Sequence, residues 1–436
     1  MKTSEIFDGL LANLKVGDKA ATVRARRDEI TKALNKYFRD KDACVDYRLM
    51  IGSFGRHTAI KSISDLDMVF ILPSGLRDDY NDANGPRRML ERVRDVLKAR
   101  YPSTIVRVDQ CVVRVQFTTN AFKFEVQPAF ENDEGSFDYP DTKAESWKTT
   151  KPRAEIAATT ECNDRTSTNM RHLARMARAW KNTSGVNLGG LVIDTLVYNF
   201  FQQTSAYDSA NTGSFDLMAR DFFEFLKDEP EKDYYQALGS RQRVYVKAKF
   251  QAKAKKAYNR CVDAIENEGK TAAAKKWREV FGTSVPLTSA EAALQASAEG
   301  QDRSGEQFIE DLYPVDIRET LTVDCEVTQD GWRPRWLRVM NRSGMPLLAG
   351  KRLKFKVTNC TVEEPYSLKW KVLNRGEAAE RRRMTRGDII SSTGLGTRIE
   401  HSSFRGEHVV ECFAIKDGVV VARDRIDVPI TTTRAE

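Results

Sequence analysis

Two carboxylates, Asp65 and Asp67, stand two residues apart in the run DLDMVFIL (65–72). On an extended strand that spacing sends both to one face and turns Leu66 and Met68 to the other. Like charges held side by side next to Val69–Leu72 cost free energy unless a cation or solvent compensates them. Such oxygen ligands hold hard divalent cations, and Mg²⁺ is taken by one or two carboxylates together with substrate phosphates. The plainer reading is a charged strand end. A third acid, Glu125, lies between Phe124 and Val126 in FKFEVQPAF (122–130), where Pro128 is expected to end the strand. If the two strands are neighbours, three carboxylates meet in the two-ion arrangement, ions about 3.5–4 Å apart, that serves in-line displacement at phosphorus. Taken alone, Glu125 reads equally well as an exposed acid on a half-buried strand. Upstream, IGSFG places Gly52 and Ser53 at the end of an apolar strand start. Glycine lets backbone N–H groups approach a triphosphate closely, and a serine hydroxyl adds a direct phosphate bond.

These residues need a scaffold, and the flanking patterns supply one. Residues 3–38 carry apolar positions at helical spacing beside a cationic face and read as helix. RLMIGSF, DLDMVFIL, STIVRVDQCVVRVQF and FKFEVQPAF read as strands, with the amphipathic helix PRRMLERVRDVLKARY among them. The expectation is an α/β lobe with a mixed sheet and N-terminal helices over 1–162. A helical lobe follows over 163–285, through TNMRHLARMARAWKN, GGLVIDTLVYNFFQQT, DLMARDFFEFLKD and a long helical run over 247–282. Residues 286–306 are small and polar, the composition of a linker. Over 307–436, apolar or alternating runs at 321–327, 352–357, 368–373, 408–415 and 419–430 argue an all-β sandwich.

The chain has 436 residues with 70 Lys and Arg against 62 Asp and Glu, a net charge of +8. That length suits roughly three domains. A hydrophobic share of 41% with 30% charged residues excludes wholesale disorder. The mild positive excess suits a polyanionic partner but is equally an ordinary solubility charge. No apolar stretch approaches the roughly 18–20 residues of a membrane span, and the N-terminus lacks a signal-peptide pattern, so a cytoplasmic protein is expected. The seven cysteines are scattered and never paired as CxxC, which fits free thiols. Cys325, Cys360, Cys412, His401 and His408 match no familiar zinc spacing. With four histidines in all, no Ser/His/Asp or Cys/His set points to covalent catalysis.

GSFGRHTAIKSISDLDMV and FEVQPA together resemble the polymerase-β-like nucleotidyltransferases, specifically the bacterial CD-NTase group related to cGAS and oligoadenylate synthetase. FDGLLANLKV with DEITKALNKYF resembles the start of a SMODS domain, and WREVFG the end of its helical lobe. WKVLNRGEAAE, MTRGD, SFRGEH and HVVECFAIKDGVVVARDRIDV resemble the AGS-C sensor domain. Where many relatives carry Asp as third acid this chain has Glu125, and its turn carries Arg56 and His57. The resemblance implies an enzyme that joins NTPs, ATP or GTP first among them, into a cyclic or short linear oligonucleotide messenger with release of pyrophosphate. It further implies Mg²⁺ as cation, with Mn²⁺ as its substitute, and a role in antiphage signalling. An effector protein would read the product, and a ligand or protein would act on the C-terminal domain.

In this reading Gly52 and Ser53 hold the donor phosphates, Asp65 and Asp67 bind both ions, and Glu125 binds the ion that activates the acceptor hydroxyl and serves as base. Arg171, Arg175 and Arg178 recur along RHLARMARAWKN. They are either a solvated cationic face or, for Arg175 and Arg178 with help from Lys181, a clamp on the donor triphosphate. The basic run Lys247–Lys256 and Arg381–Arg383 read as solvated faces. Two alternatives stay open: nucleotidyl transfer to RNA or protein, and a nucleotide or nucleic-acid sensor whose catalytic lobe is vestigial.

Overall fold

The computed structural model describes residues 1–286 apart from 17–18, 63–64 and 118–121. It also describes 307–431 apart from 308, 314–316, 318, 329–332, 376, 383, 385, 393–395, 404 and 417–418. The expected helix over 3–38 is two helices, α1 (Thr3–Leu14) and α2 (Lys19–Arg39). They serve different cores. Phe7 of α1 packs edge-on against Trp277, 5.0 Å between ring centres, inside the helical lobe. Ile30 and Leu34 of α2 instead join the core beneath the sheet.

That sheet is mixed, as expected. It contains β1 (Arg48–Met50), β2 (Asp65–Ile71), β3 (Ile105–Asp109), β4 (Val112–Gln116) and β5 (Lys123–Glu131) in the order β1-β2-β5-β4-β3. A one-turn helix α3 (Gly52–Gly55) follows β1, and α4 (Gly85–Arg100) crosses between β2 and β3. β2 and β5 run parallel and the other pairs antiparallel. Leu66, Met68, Phe70, Phe124 and Val126 are buried against Met89, Leu90, Val93 and Leu97 of α4. Each such side chain contributes about 1.5–3 kcal/mol, and their alternation fixes which face of the sheet is left for polar groups. Pro128 does not end its strand: β5 continues to Glu131. The β4 ladder stops at Val113–Val126, so the missing N–H of Pro128 faces no partner in β4. β5 then pairs with β6 (Phe137–Asp141), which pairs with β7 (Ser146–Thr150), a hairpin the sequence patterns did not reveal.

A helix lies across the expected boundary at residue 162. Helix α5 spans Pro152–Arg165, with Pro at its first turn but no strong apolar stripe to announce it. Then come α6 (Asn169–Ser184), α7 (Gly190–Gln203), α8 (Phe215–Asp228), the small hairpin β8 (Tyr234–Gln236) and β9 (Arg243–Tyr245), α9 (Gln251–Glu266) and α10 (Thr271–Phe281). The long helical run thus begins only at Gln251 and breaks at Gly269, whose φ of +78° a helix cannot accommodate.

Residues 287–306, most of the expected linker, lie outside the described residues. The C-terminal domain holds β10 (Leu321–Thr328), β11 (Arg335–Trp336), β12 (Leu347–Leu348), β13 (Arg352–Cys360), β14 (Ser367–Leu373), β15 (Arg386–Ser391), β16 (Thr397–His401), β17 (Gly406–Lys416) and β18 (Val419–Thr431). They form two sheets, β11-β10-β13-β16 and β12-β18-β17-β14-β15. Val323, Cys325 and Phe355 from the first share one apolar cluster with Trp370, Cys412 and Val428 from the second. The domain is not purely β: short helices at Ile309–Leu312, Leu337–Arg342 and Glu377–Arg381 accompany the sheets.

The C-terminal domain contacts the end of α6. Arg423 of β18 donates to the Asn182 carbonyl at 3.2 Å, and Lys253 of α9 donates to the carbonyls of Ser184 and Gly185. Lys256 pairs with Asp427 at 3.2 Å. The basic run therefore is not simply a solvated face: Lys253 caps α6 and Lys256 reaches the C-terminal domain. Among the described residues no helix is long and apolar enough to cross a membrane, and all seven cysteines are free thiols.

Candidate active site

The face of the sheet away from α4 carries the acids, each partly buried. Asp65 and Asp67 share it, and the parallel register sets Asp67 opposite Glu125 and Asp65 opposite Lys123. Strand adjacency is as expected, and Glu125 is engaged by a cation. Its carboxylate accepts from Arg114 Nε at 2.9 Å, across the β4 ladder. The Lys123 ammonium lies 3.3 Å from Asp65 Oδ1 and 3.9 Å from Glu125 Oε1. Among the described residues, no three His, Cys, Asp or Glu side chains form a ready ligand set. The donor chemistry nevertheless fits a hard divalent cation, since two carboxylates on one face suffice when substrate phosphates supply the remaining oxygens. Neither Lys123 nor Arg114 stood out in the sequence. Lys123 carried one signal, its place two residues before Glu125 and hence on the same face.

The turn between β1 and β2 sits directly beside the acids. Ile51 N–H donates to the Asp67 carbonyl at 2.9 Å, which seats Gly52 against the Asp67 side chain. A Cβ on Gly52 would lie 1.9 Å from Asp67 Oδ2, and its φ of +63° disfavours any other residue. Ser53 follows at the start of α3, and its carbonyl accepts from the backbone N–H groups of Thr58 and Ala59.

Behind the turn lies a buried charge network that the sequence reading missed. Arg56 donates to Asp194 of α7 at 2.8 Å and to Glu155 of α5 at 3.2 Å. Arg178 of α6 grips both oxygens of Asp194, at 2.6 and 2.9 Å, and Thr58 donates to the same carboxylate. Ser240 donates to Glu155. Burial opposes ionisation of Asp194, but Arg178 and Arg56 hold its carboxyl below the ordinary range. Glu155, with Arg56 as its main cation, is instead pushed up by burial. Three helices are thereby bolted to the turn. The available signal was a lone acid, Asp194, in the apolar helix GGLVIDTLVYNFFQQT.

The three α6 cations expected at the donor phosphates part company. Arg178 is 7% exposed and committed to Asp194 and the Gly190 carbonyl, so a direct phosphate clamp does not fit it. Arg175 donates to the His57 carbonyl at 2.9 Å, at the far end of the turn from Gly52. Lys181 is buried one turn beyond Arg178, next to Asn182, whose amide meets Ser62 in the loop leading to β2.

Two family models match parts of the chain. Residues 1–163 match the Second Messenger Oligonucleotide or Dinucleotide Synthetase domain (SMODS). Residues 303–431 match the Adenylyl/Guanylyl and SMODS C-terminal sensor domain (AGS-C). A probable cyclic nucleotide synthase of Bacillus cereus (strain VD146) is 23% identical, the match spanning 43% of this chain and 64%, under two thirds, of that relative. Among solved structures, E. coli MS115-1 CdnC with ATP is similar at 15% identity and a TM-score of 0.48, covering 66% of this chain and 99% of its own. E. coli DncV bound to 3'-deoxy GTP is similar at 15% identity and a TM-score of 0.42, covering 65% and 87%. The chain thus carries a SMODS domain at one end and an AGS-C sensor domain at the other.

Proposed function

We propose that this protein joins NTPs, with release of pyrophosphate, into a cyclic or short linear oligonucleotide messenger. The observation that carries the reading is the seating of Gly52 against Asp67, which sets a phosphate-binding turn directly beside paired carboxylates. Gly52 and Ser53 present the N-terminus of α3 to the donor triphosphate, where backbone N–H groups and the serine hydroxyl bind its oxygens. Asp65 and Asp67 would hold Mg²⁺, or Mn²⁺ in its place, with Glu125 as third acid. When bound, the cation neutralises phosphate charge and lowers the pKa of the acceptor ribose hydroxyl. Glu125 accepts the hydroxyl proton, which requires its carboxylate to leave Arg114. Lys123, which lies between Asp65 and Glu125 on the same face, would contact the leaving phosphates. Lys181 keeps the role of donor-phosphate contact from the helical lobe, whereas Arg178 is a positioning residue that holds the turn through Asp194. ATP and GTP are the first substrates to test.

We infer from the family resemblance that the product serves antiphage signalling and is read by an effector protein, and that the C-terminal domain receives a regulatory ligand or protein. Incubation with labelled NTPs and Mg²⁺ tests the reaction class. Label in a product that migrates as an oligonucleotide and resists phosphatase supports a cyclic messenger. Label appearing only on added RNA or on protein would replace this reading with the transferase alternative.

A further inference from the structure

On the side of the turn away from Gly52 lies an open cavity of about 310 Å³ lined by His57, Thr168, Arg171, His172 and Arg175. That volume is at the lower end for small-molecule pockets. Its chemistry is one-sided. Arg171 and Arg175 are both half-buried, yet among the described residues neither makes a salt bridge. Arg171 donates to the Arg56 carbonyl and the Thr160 hydroxyl, and Arg175 to the His57 carbonyl. Each guanidinium has five donors in a planar fork matched to carboxylate or phosphate oxygens. Burial lowers the pKa of Arg175, and the like charges of Arg171 and Arg178 lower it further. His172 Nδ1 is buried with no hydrogen-bond partner among the described residues. Burial, Arg175 and Lys15 hold His172 down to about 4. Half-buried cations crowded together with no acid in the lining repel one another unless an anion shares the space.

We propose that this cavity binds a small phosphoryl anion, through Arg171 and Arg175 with His172 Nδ1, at a site separate from the carboxylates. A phosphoryl group suits it better than a carboxylate, because two guanidinium forks and an imidazole offer more donors than one carboxylate can use. The site is built into the catalytic turn. Both arginines donate to backbone carbonyls of Arg56 and His57, the last residues of the segment that begins with Gly52, so occupancy biases how that segment is held. Any effect on synthesis rests on the proposed nucleotidyl transfer, but the binding does not.

The test uses the full-length protein in EDTA, with inorganic pyrophosphate and inorganic phosphate as probes and the imidazole proton resonances of His57 and His172 as readout. The expected result is saturable shifts of both histidines and none at His401 or His408. Affinity should fall at least about tenfold in Arg171→Gln, since a charge-assisted donor pair is lost. Thr168→Asp, which sets a carboxylate at the rim, should weaken binding while keeping every lining cation, and guards against misfolding of the first variant. Asp65→Asn with Asp67→Asn should leave the affinity unchanged or higher. Tighter binding of pyrophosphate than of phosphate marks a site for the reaction's own product, and equal affinity a site for a phosphorylated metabolite. Absent shifts, unchanged affinity in both cavity variants, or loss of binding in the double Asp variant would each overturn the proposal. Because no cation or nucleotide is present, failure here is separable from failure of the proposed reaction.

Discussion

Arg178 and Arg175 are one turn apart on the same helix and could hardly be treated more differently. Arg178 is buried in a bidentate pair with Asp194, which also takes Arg56, and the charges there nearly balance. Arg175 faces Arg171 and two histidines across a cavity that holds no acid. A cation whose acid is built into the protein fixes structure, whereas one held without an acid stores an interaction for something that arrives from outside. Helical spacing alone cannot separate the two, because i and i+3 share a broad face.

The sharpest way to break this comparison is to remove the acid. Asp194→Ala leaves the buried Arg178 guanidinium without its acid and Arg56 with Glu155 alone, and should destabilise the fold by about 3–5 kcal/mol, measured by denaturant unfolding. A loss below about 1 kcal/mol would mean that Arg56 and Arg178 find other partners and that the network is not what holds the turn. Next in size, Arg178→Ala and Arg175→Ala should diverge. The first removes Asp194's bidentate partner and should cost about 3 kcal/mol or more. The second forfeits one hydrogen bond to a carbonyl while relieving repulsion, so a change under about 1 kcal/mol is expected. Equal losses would erase the distinction.

Much of the catalytic lobe was legible because its signals are local. The alternation around Asp65 and Asp67 fixed their face, and the glycine and serine after an apolar run marked the turn. What could not be read depends on register and on packing between distant segments. Arg114 meets Glu125 only because β4 lies beside β5 in one register, and Lys123 reaches Asp65 only across a parallel pair. Likewise Glu155, Asp194 and Arg178 come together from three helices. The five longest C-terminal strands were visible through their apolar runs, but the role of Lys253 as a cap on α6 was hidden in what looked like a solvated basic stripe. Helix α5 escaped because its buried side is built of Pro, Glu, Ala, Thr, Cys and Asn rather than large apolar groups.

A smaller effect sharpens the cavity half of the comparison through pH. His172 has its pKa lowered from an ordinary 6.5 to about 4, so the folded state binds fewer protons than the unfolded chain between those values. The stability associated with its neutral form is complete above pH 6.5 and is lost as pH falls toward 4. The ring is partly exposed and solvent screens the effect, so the loss is about 1 kcal/mol. His172→Gln should flatten the fall in Tm over that window relative to wild type. Parallel curves would show that the ring titrates as it does in the unfolded chain.

The central claim, that the Asp65–Asp67 face beside Gly52 is where nucleotides are joined, is tested most directly by pyrophosphate release. Wild-type protein and the Asp65→Asn, Asp67→Asn variant would each be supplied with the four NTPs and Mg²⁺, with folding matched by circular dichroism. The account predicts one pyrophosphate for each phosphodiester formed by the wild type and none above background for the variant, a loss of several kcal/mol in transition-state stabilisation. Equal release by a folded variant would place the chemistry elsewhere in the molecule.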